Sequence, residues 1–161
     1  MRIVVMSDSH GDIETVRRIV EAHSADAELF LHLGDGVSEF CSVMEQYPQK
    51  KSIYVVGNHE DEFYHSNHFE SLIITAEGHR IFLTHGDRLH TKLDTLELRY
   101  LGKKTNAEVV LFGHTHKAQD EAWEGIRFVN PGALHEPRDG AASYAVLDLS
   151  ANGIEVRFSP V

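Results

Sequence analysis

The feature that most constrains this chain is a recurrence: five short apolar runs, each ended by a glycine-marked polar loop bearing His, Asp or Asn. Ile3–Met6 runs into Asp8-Ser9-His10-Gly11, and Leu29–Leu33 into Gly34-Asp35-Gly36. Ser52–Val56 runs into Gly57-Asn58-His59-Glu60, Arg80–Thr84 into His85-Gly86-Asp87, and Glu108–Phe112 into Gly113-His114-Thr115-His116. Runs of this length are strand length, and apolar character on both faces suits strands covered on both sides. Between the first three runs the spacing turns helical. Asp12 caps a predicted helix over Ile13–His23, with Ile13, Val16, Ile19 and Val20 on one face, and a second is predicted over Val37–Gln46, stopped near Pro48. A β-α-β-α-β order predicts a parallel sheet whose carboxyl ends open on a ligand crevice.

Past residue 70 the pattern changes. Ser71–Ala76 and Arg80–Thr84, joined by Glu77-Gly78-His79, read as a hairpin. Leu93, Leu96, Leu98 and Leu101 give Thr91–Gly102 helical spacing. Gln119–Trp123 and Ile126–Asn130 flank Glu124-Gly125 as a second hairpin. Asn152-Gly153, a dipeptide favoured in tight turns, joins Ser143–Leu149 to Ile154–Phe158. The C-terminal third is therefore expected to be mostly antiparallel. With no repeat and no linker, residues 1–161 read as one domain.

Composition narrows the partners. A formal net charge of -10 argues against nucleic acid bound through a basic surface. The single cysteine, Cys41, excludes an intrachain disulfide and reads as core filling. Ile3–Met6 is too short for a signal peptide's apolar region, and no stretch approaches the roughly 20 apolar residues of a membrane span. The expectation is a cytoplasmic protein acting on a small molecule; homo-oligomerisation is left open by the sequence.

The strand ends carry the chemistry. A carboxylate and an imidazole two residues apart, as in Asp8 and His10, can point the same way, and mixed oxygen and nitrogen donors suit a first-row divalent metal. Any one of these loops alone is an ordinary turn or a pair of exposed histidines. Five of them, each after an apolar run, make a shared centre the better reading.

In that order the motifs D-x-H, G-D, G-N-H-E, a later H and G-H-x-H resemble those of the calcineurin-like metallophosphoesterase superfamily. The likeness covers essentially the whole chain and leans toward its compact bacterial and archaeal phosphodiesterase branch. Asn130-Pro131-Gly132, Glu136-Pro137-Arg138 and Ser143–Leu147 are similar to the tail of that branch. The resemblance implies an α/β fold, a four-layer αββα sandwich of two mixed β-sheets flanked by helices. It implies two divalent metal ions, with Mn²⁺ expected and Fe, Zn or Ni admitted by the donors. One ion would be held by Asp8, His10, Asp35 and His116, the other by Asp35, Asn58, His85 and His114, with Asp35 bridging. It further implies hydrolysis of a small phosphodiester by a metal-bridging hydroxide, with His59 as a catalytic non-ligand and Glu60 orienting it.

Two positions depart from the family pattern: Asp87 where many relatives have His, and Glu60 where Asp is usual. Asp87 is read as a solvated loop residue, His65 and His68 as surface histidines, and Arg138 as a candidate phosphate contact. His23, His32, His79, His90 and His135 have no ligand-like context and are read as structural or exposed. The alternatives are a phosphomonoesterase and a catalytically weak binding scaffold. The second arises because the resemblance reaches a retromer subunit of the same fold. A complete ligand set weighs against it.

Overall fold

The computed structural model of the chain describes the backbone of residues 1–161 and every side chain except those of Glu62, His65 and Asn67. Two mixed five-stranded sheets stack face to face. The first is built on β1 (Arg2–Met6), β2 (Leu29–His32) and β3 (Lys51–Tyr54), which run parallel. Helices α1 (Ile13–His23) and α2 (Val37–Met44) make the crossovers, and α3 (Glu62–Asn67) follows β3. The second sheet contains β4 (Ser71–Ala76), β5 (His79–Thr84), β6 (Val109–Leu111), β7 (Ala118–Trp123) and β8 (Ile126–Pro131). Helix α4 (Leu96–Lys104) precedes β6, and β9 (Ser143–Ser150) and β10 (Gly153–Pro160) return to the first sheet. The strand orders are β10-β9-β1-β2-β3 and β4-β5-β6-β8-β7.

Alternation along the strands builds the layers. Ile3 and Val5 of β1, Leu29 and Leu31 of β2, and Ile81, Leu83, Val109, Leu111 and Val129 of the other sheet fill the space between the sheets. Val4, Met6 and Phe30 point the other way, onto Val16, Ile19 and Val20 of α1 and Phe40 and Val43 of α2. On the far face Leu98 of α4 packs with Phe82, Val110, Phe112 and Phe128. This is the expected αββα arrangement, unequal in its outer layers.

Several boundaries differ from the sequence reading. The expected helix over 91–102 begins only at Leu96. Residues 87–89 form a 3-10 turn instead, and buried Thr91 is tied back to Gly86 by its hydroxyl, 3.0 Å from the carbonyl. Asp94 then accepts from Leu96 N–H at 2.9 Å and starts the helix. The apolar spacing of Leu93 and Leu96 is thus not a buried stripe: they are 85% and 68% exposed. Helix α3, too short for periodicity to reveal, is started by Asp61 accepting from Tyr64 N–H. Cys41 is half-buried and belongs to none of the three core clusters, so the core-filling expectation is corrected. No helix among the described residues is long and apolar enough to cross a membrane.

Candidate metal centre

Because β1, β2 and β3 run parallel, as do β5, β6 and β8, the loops after them gather at one end of the sandwich. There six of the seven expected ligands fall into two groups: Asp8, His10 and His116, and Asp35, His85 and His114. Each group draws on both sheets. Asp8, His10 and Asp35 follow β1 and β2, while His85, His114 and His116 follow β5 and β6.

The backbone is bent hard to achieve this. Asp8, His10, Asp35, His114 and His116 all have positive φ, between 45° and 65°. Residues with a Cβ rarely adopt that region, which costs about 1–2 kcal/mol each. Strain of this kind persists only where surrounding contacts hold it. Two glycines show how tightly the loops meet. A Cβ on Gly57 would lie 2.2 Å from Asp35 Oδ1, and one on Gly34 (φ +99°) would lie 2.6 Å from Gly57 N and 2.9 Å from His85 Nδ1.

The carboxylates are buried and aimed. Asp8 Oδ2 accepts from Ser7 Oγ at 2.6 Å and from the His114 backbone N–H at 3.1 Å. Asp8 Oδ1 is the one buried side-chain polar atom among the described residues without a hydrogen bond. It stands 3.2 Å from His116 Nε2 and 4.0 Å from His10 Nε2. Asp35 Oδ1 accepts from His59 N–H at 2.8 Å, leaving Oδ2 between His85 Nε2 (3.3 Å) and His10 Nε2 (3.9 Å). Burial opposes ionisation of both carboxyls. For Asp35 the neighbouring His85 outweighs it, and for Asp8 the nearby His116 and His85 and the Ser7 hydroxyl do, so both are held below the usual carboxylate range.

Backbone carbonyls set the tautomers. His85 Nδ1–H donates to Leu33 O at 2.7 Å, and His116 Nδ1–H donates to Glu136 O at 2.9 Å. In the neutral rings each Nε2 therefore presents its lone pair to the carboxylates, the usual arrangement of a metal-binding histidine. Burial lowers His85's basicity, but Asp35 and Asp8 reverse that and raise it to about 9. Burial and His85 push His114 down to about 4, and burial lowers His10. An unsatisfied carboxylate oxygen and four imidazoles converging on two carboxylates fit a pair of divalent cations. An apolar ligand would leave Asp8 Oδ1 orphaned.

The seventh expected ligand, Asn58, is exposed and makes no side-chain hydrogen bond among the described residues. It stands between Gly57 and His59, whose backbones both press on Asp35. His59 is exposed, lies edge-on to His10 with ring centroids 5.4 Å apart, and lines both cavities beside the clusters. Glu60 does not orient it. Its carboxylate accepts from the N–H groups of Gly36 (2.9 Å) and Val37 (3.1 Å), so it caps α2. Four orphan donors at a helix start outcompete a solvent-facing imidazole for it.

Other residues in the neighbourhood had no individual signal in the sequence. Buried His32 contacts Ser9 Oγ through Nε2 at 3.0 Å, and Ser9 Oγ donates to Glu39 Oε1 at 3.0 Å. Glu39 also accepts from Gly11 N–H at 2.5 Å, so the Asp8–Gly11 loop is pinned from behind. Asn130 does the same for the other sheet, its amide donating to Gly113 O at 2.8 Å and Thr115 Oγ1 at 3.1 Å. The Asn130-Pro131-Gly132 punctuation at the end of β8 was the one available hint. His68 pairs with Tyr54 OH at 2.9 Å in an aromatic group outside the cavities that His59 lines. His65 lies outside the described residues. Asp87 lines a small cavity with Glu70, Phe82 and Leu101 rather than those that His59 lines. His135 and Arg138 line one of the latter, so His135 is not merely a surface residue.

A family model described as a calcineurin-like phosphoesterase superfamily domain matches residues 1–152. The chain is 32% identical over 159 residues to the probable metallophosphoesterase YsnB of Bacillus subtilis, covering 98% of this chain and 90% of that protein. It is 26% identical over 160 residues to a phosphodiesterase of Methanocaldococcus jannaschii, covering 92% and 93%. The crystal structure of a conserved "predicted phosphoesterase" of Streptococcus pneumoniae superposes with a TM-score of 0.84 at 26% identity, covering 99% of this chain and 88% of that one.

Proposed function

This chain belongs to the calcineurin-like phosphoesterase superfamily, and on that premise we propose that it is a binuclear-metal phosphodiesterase acting on a small phosphodiester. The observation that carries the reading is the orphaned Asp8 Oδ1, facing His116 and His10 beside a second group of the same donor types. Asp8, His10, Asp35 and His116 would hold one cation, and Asp35, Asn58, His85 and His114 the other. Mn²⁺ is the expected ion, with Fe, Zn or Ni compatible with the donors. When bound, such a pair neutralises phosphoryl charge and supplies an activated water near neutrality.

The protein's own groups do the rest. Asp35 Oδ2 lies between His10 and His85 and Asp35 would serve both ions, while its Oδ1 accepts from the His59 N–H. That bond also fixes where His59 starts from. Its exposed imidazole borders both cavities, where it can hydrogen-bond a phosphoryl oxygen or give a proton to the leaving oxygen. The cavities measure about 370 and 320 Å³, which suits two modest ester arms rather than a polymer.

The test is metal analysis of purified protein with hydrolysis of bis-p-nitrophenyl and p-nitrophenyl phosphate under Mn²⁺. Faster cleavage of the diester is expected. Faster cleavage of the monoester would make the protein a phosphomonoesterase. Metal binding without cleavage of either would favour the scaffold reading.

A further inference from the structure

The two cavities share His10, Asp35 and His59 and differ in everything else. The first adds Ser38, Glu39, Glu60 and Asp61, with no lysine or arginine. The second adds Lys92, His116, His135, Glu136 and Arg138. Two full cations on one side of the centre are notable on a chain of net charge -10. Elsewhere arginines have partners: Arg2 pairs with Asp26 and Asp148, Arg99 with Glu121 and Arg127 with Asp120, while Arg18 donates to the Thr15 hydroxyl and Arg80 to the Thr105 carbonyl. Lys92 and Arg138 make no ion pair and no side-chain hydrogen bond among the described residues. Glu136 also borders this cleft, but its side chain is 80% exposed and lies 3.8 Å from His135 Nε2.

The backbones that carry both cations are tied to the centre itself. Arg138 N–H donates to His116 O at 2.9 Å, and His135 N–H donates to Asp8 O at 3.0 Å. Lys92 follows Thr91, which is clamped to Gly86, the residue after His85. The loops that carry the candidate ligands therefore also anchor the backbone from which the two cations extend.

Resting on the diesterase reading, we infer that this cleft seats a second oxyanion, carboxylate or phosphate, borne on one ester arm of the substrate. The carboxylate-lined cleft opposite takes the arm without negative charge. An arginine fork and a lysine suit an oxyanion, and leaving two such cations unpaired beside a phosphate site gives them a partner only when substrate arrives. The three carboxylates opposite repel the same group, so the orientation of the diester is set by charge.

The test uses phosphinates, whose P–C bonds resist hydrolysis, titrated calorimetrically into Mn²⁺-loaded protein. One probe is 2-carboxyethyl(methyl)phosphinate, one its carboxyl methyl ester, and one carries a 2-phosphonoethyl arm in place of the carboxylate. The acid arms should bind about tenfold tighter than the ester, the scale of one charge-assisted contact, and the stronger of the two identifies the oxyanion. The double variant K92A/R138A should bring the acid-to-ester ratio near one, and Lys92→Glu should lower it as well. Both residues are exposed, so the fold survives these changes. Equal binding of acid and ester by the wild type, or an unchanged ratio in the double variant, overturns the cleft assignment and leaves the diesterase reading standing. Failure of all three probes to bind overturns both.

Discussion

The two sheets bring unlike chemistry to the same end of the sandwich, and each is built to suit what it brings. The β1–β3 sheet supplies both carboxylates, Asp8 and Asp35. Behind them stands a buried polar network of Ser9, His32 and Glu39, two helices cover the sheet, and Glu60 caps the second of these. The β5–β6 side supplies His85, His114 and His116, each of the first and last set by one backbone carbonyl, under a single helix. The difference follows from cost. A buried carboxylate must have nearly all its lone pairs answered, whereas a neutral imidazole needs one acceptor to choose its tautomer. The denser polar support stands where the charge is, with Asn130 answering it on the other side.

The sharpest way to break this comparison is to remove charge from the carboxylate half. Asp35→Asn keeps the shape but loses the carboxylate that faces both groups. Metal content should fall, and hydrolysis of bis-p-nitrophenyl phosphate should drop by on the order of 10³, the several kcal/mol that metal stabilisation of phosphoryl charge supplies. Near-normal turnover would refute the bridging role. His59→Gln should cost less, about 10²-fold in turnover, the scale of one proton-transfer group, with metal content near wild type. Loss of metal in that variant would make His59 a ligand.

A third test asks whether the centre joins the two halves. Since each group of donors spans both sheets, Mn²⁺ should slow hydrogen exchange after β1 and β2 and equally after β5 and β6. At 100-fold excess over the dissociation constant, one site adds about 2.7 kcal/mol. For a chain of this size that is a rise in Tm of roughly 5–10 °C, reversed by chelator. Protection confined to the β1–β3 ends would mean that the imidazole half is not engaged.

How much of this was legible in the sequence follows the same division. Asp8, His10, Asp35, His85, His114 and His116 could be read because each follows an apolar run that ends on glycine, a local pattern. The supports could not. Glu39 meets Gly11 across 28 positions, and Glu60 meets Gly36 across 24, with nothing local to mark either partner. His32 looked contextless because its context is Ser9, on the neighbouring strand's loop. Arg138 was readable as a candidate phosphate contact, but Lys92 joins it only because the loops after β5 and β8 line one cleft. The start of α4 differs for another reason: leucine spacing outlines a helix that a side-chain clamp five residues back, Thr91 on Gly86, cuts short, and apolar periodicity does not register such a bond.

The smallest expected effect lies at the opposite end of the sandwich, where one histidine links the sheets without any metal. His79, at the start of β5, places Nδ1 2.9 Å from Glu108 Oε2 and Nε2 2.8 Å from Ser150 O on β9. Only the imidazolium can donate through both nitrogens, so the Ser150 carbonyl and then Glu108 raise its pKa above the ordinary histidine value. A raised folded-state pKa contributes stability that is complete below the unfolded value of about 6.5 and is lost as pH climbs through the folded value. In urea titrations of chelator-treated protein, wild type should therefore exceed His79→Gln in stability at pH 5.5, by at most about 1 kcal/mol for so exposed a pair. By pH 9 the gap should close. Comparing the two proteins at each pH cancels the titration of the candidate ligands, which both retain. A gap that persists at pH 9 would mean that His79 ties the sheets by packing, and that charge holds them together only at the end where Asp8 and Asp35 lie.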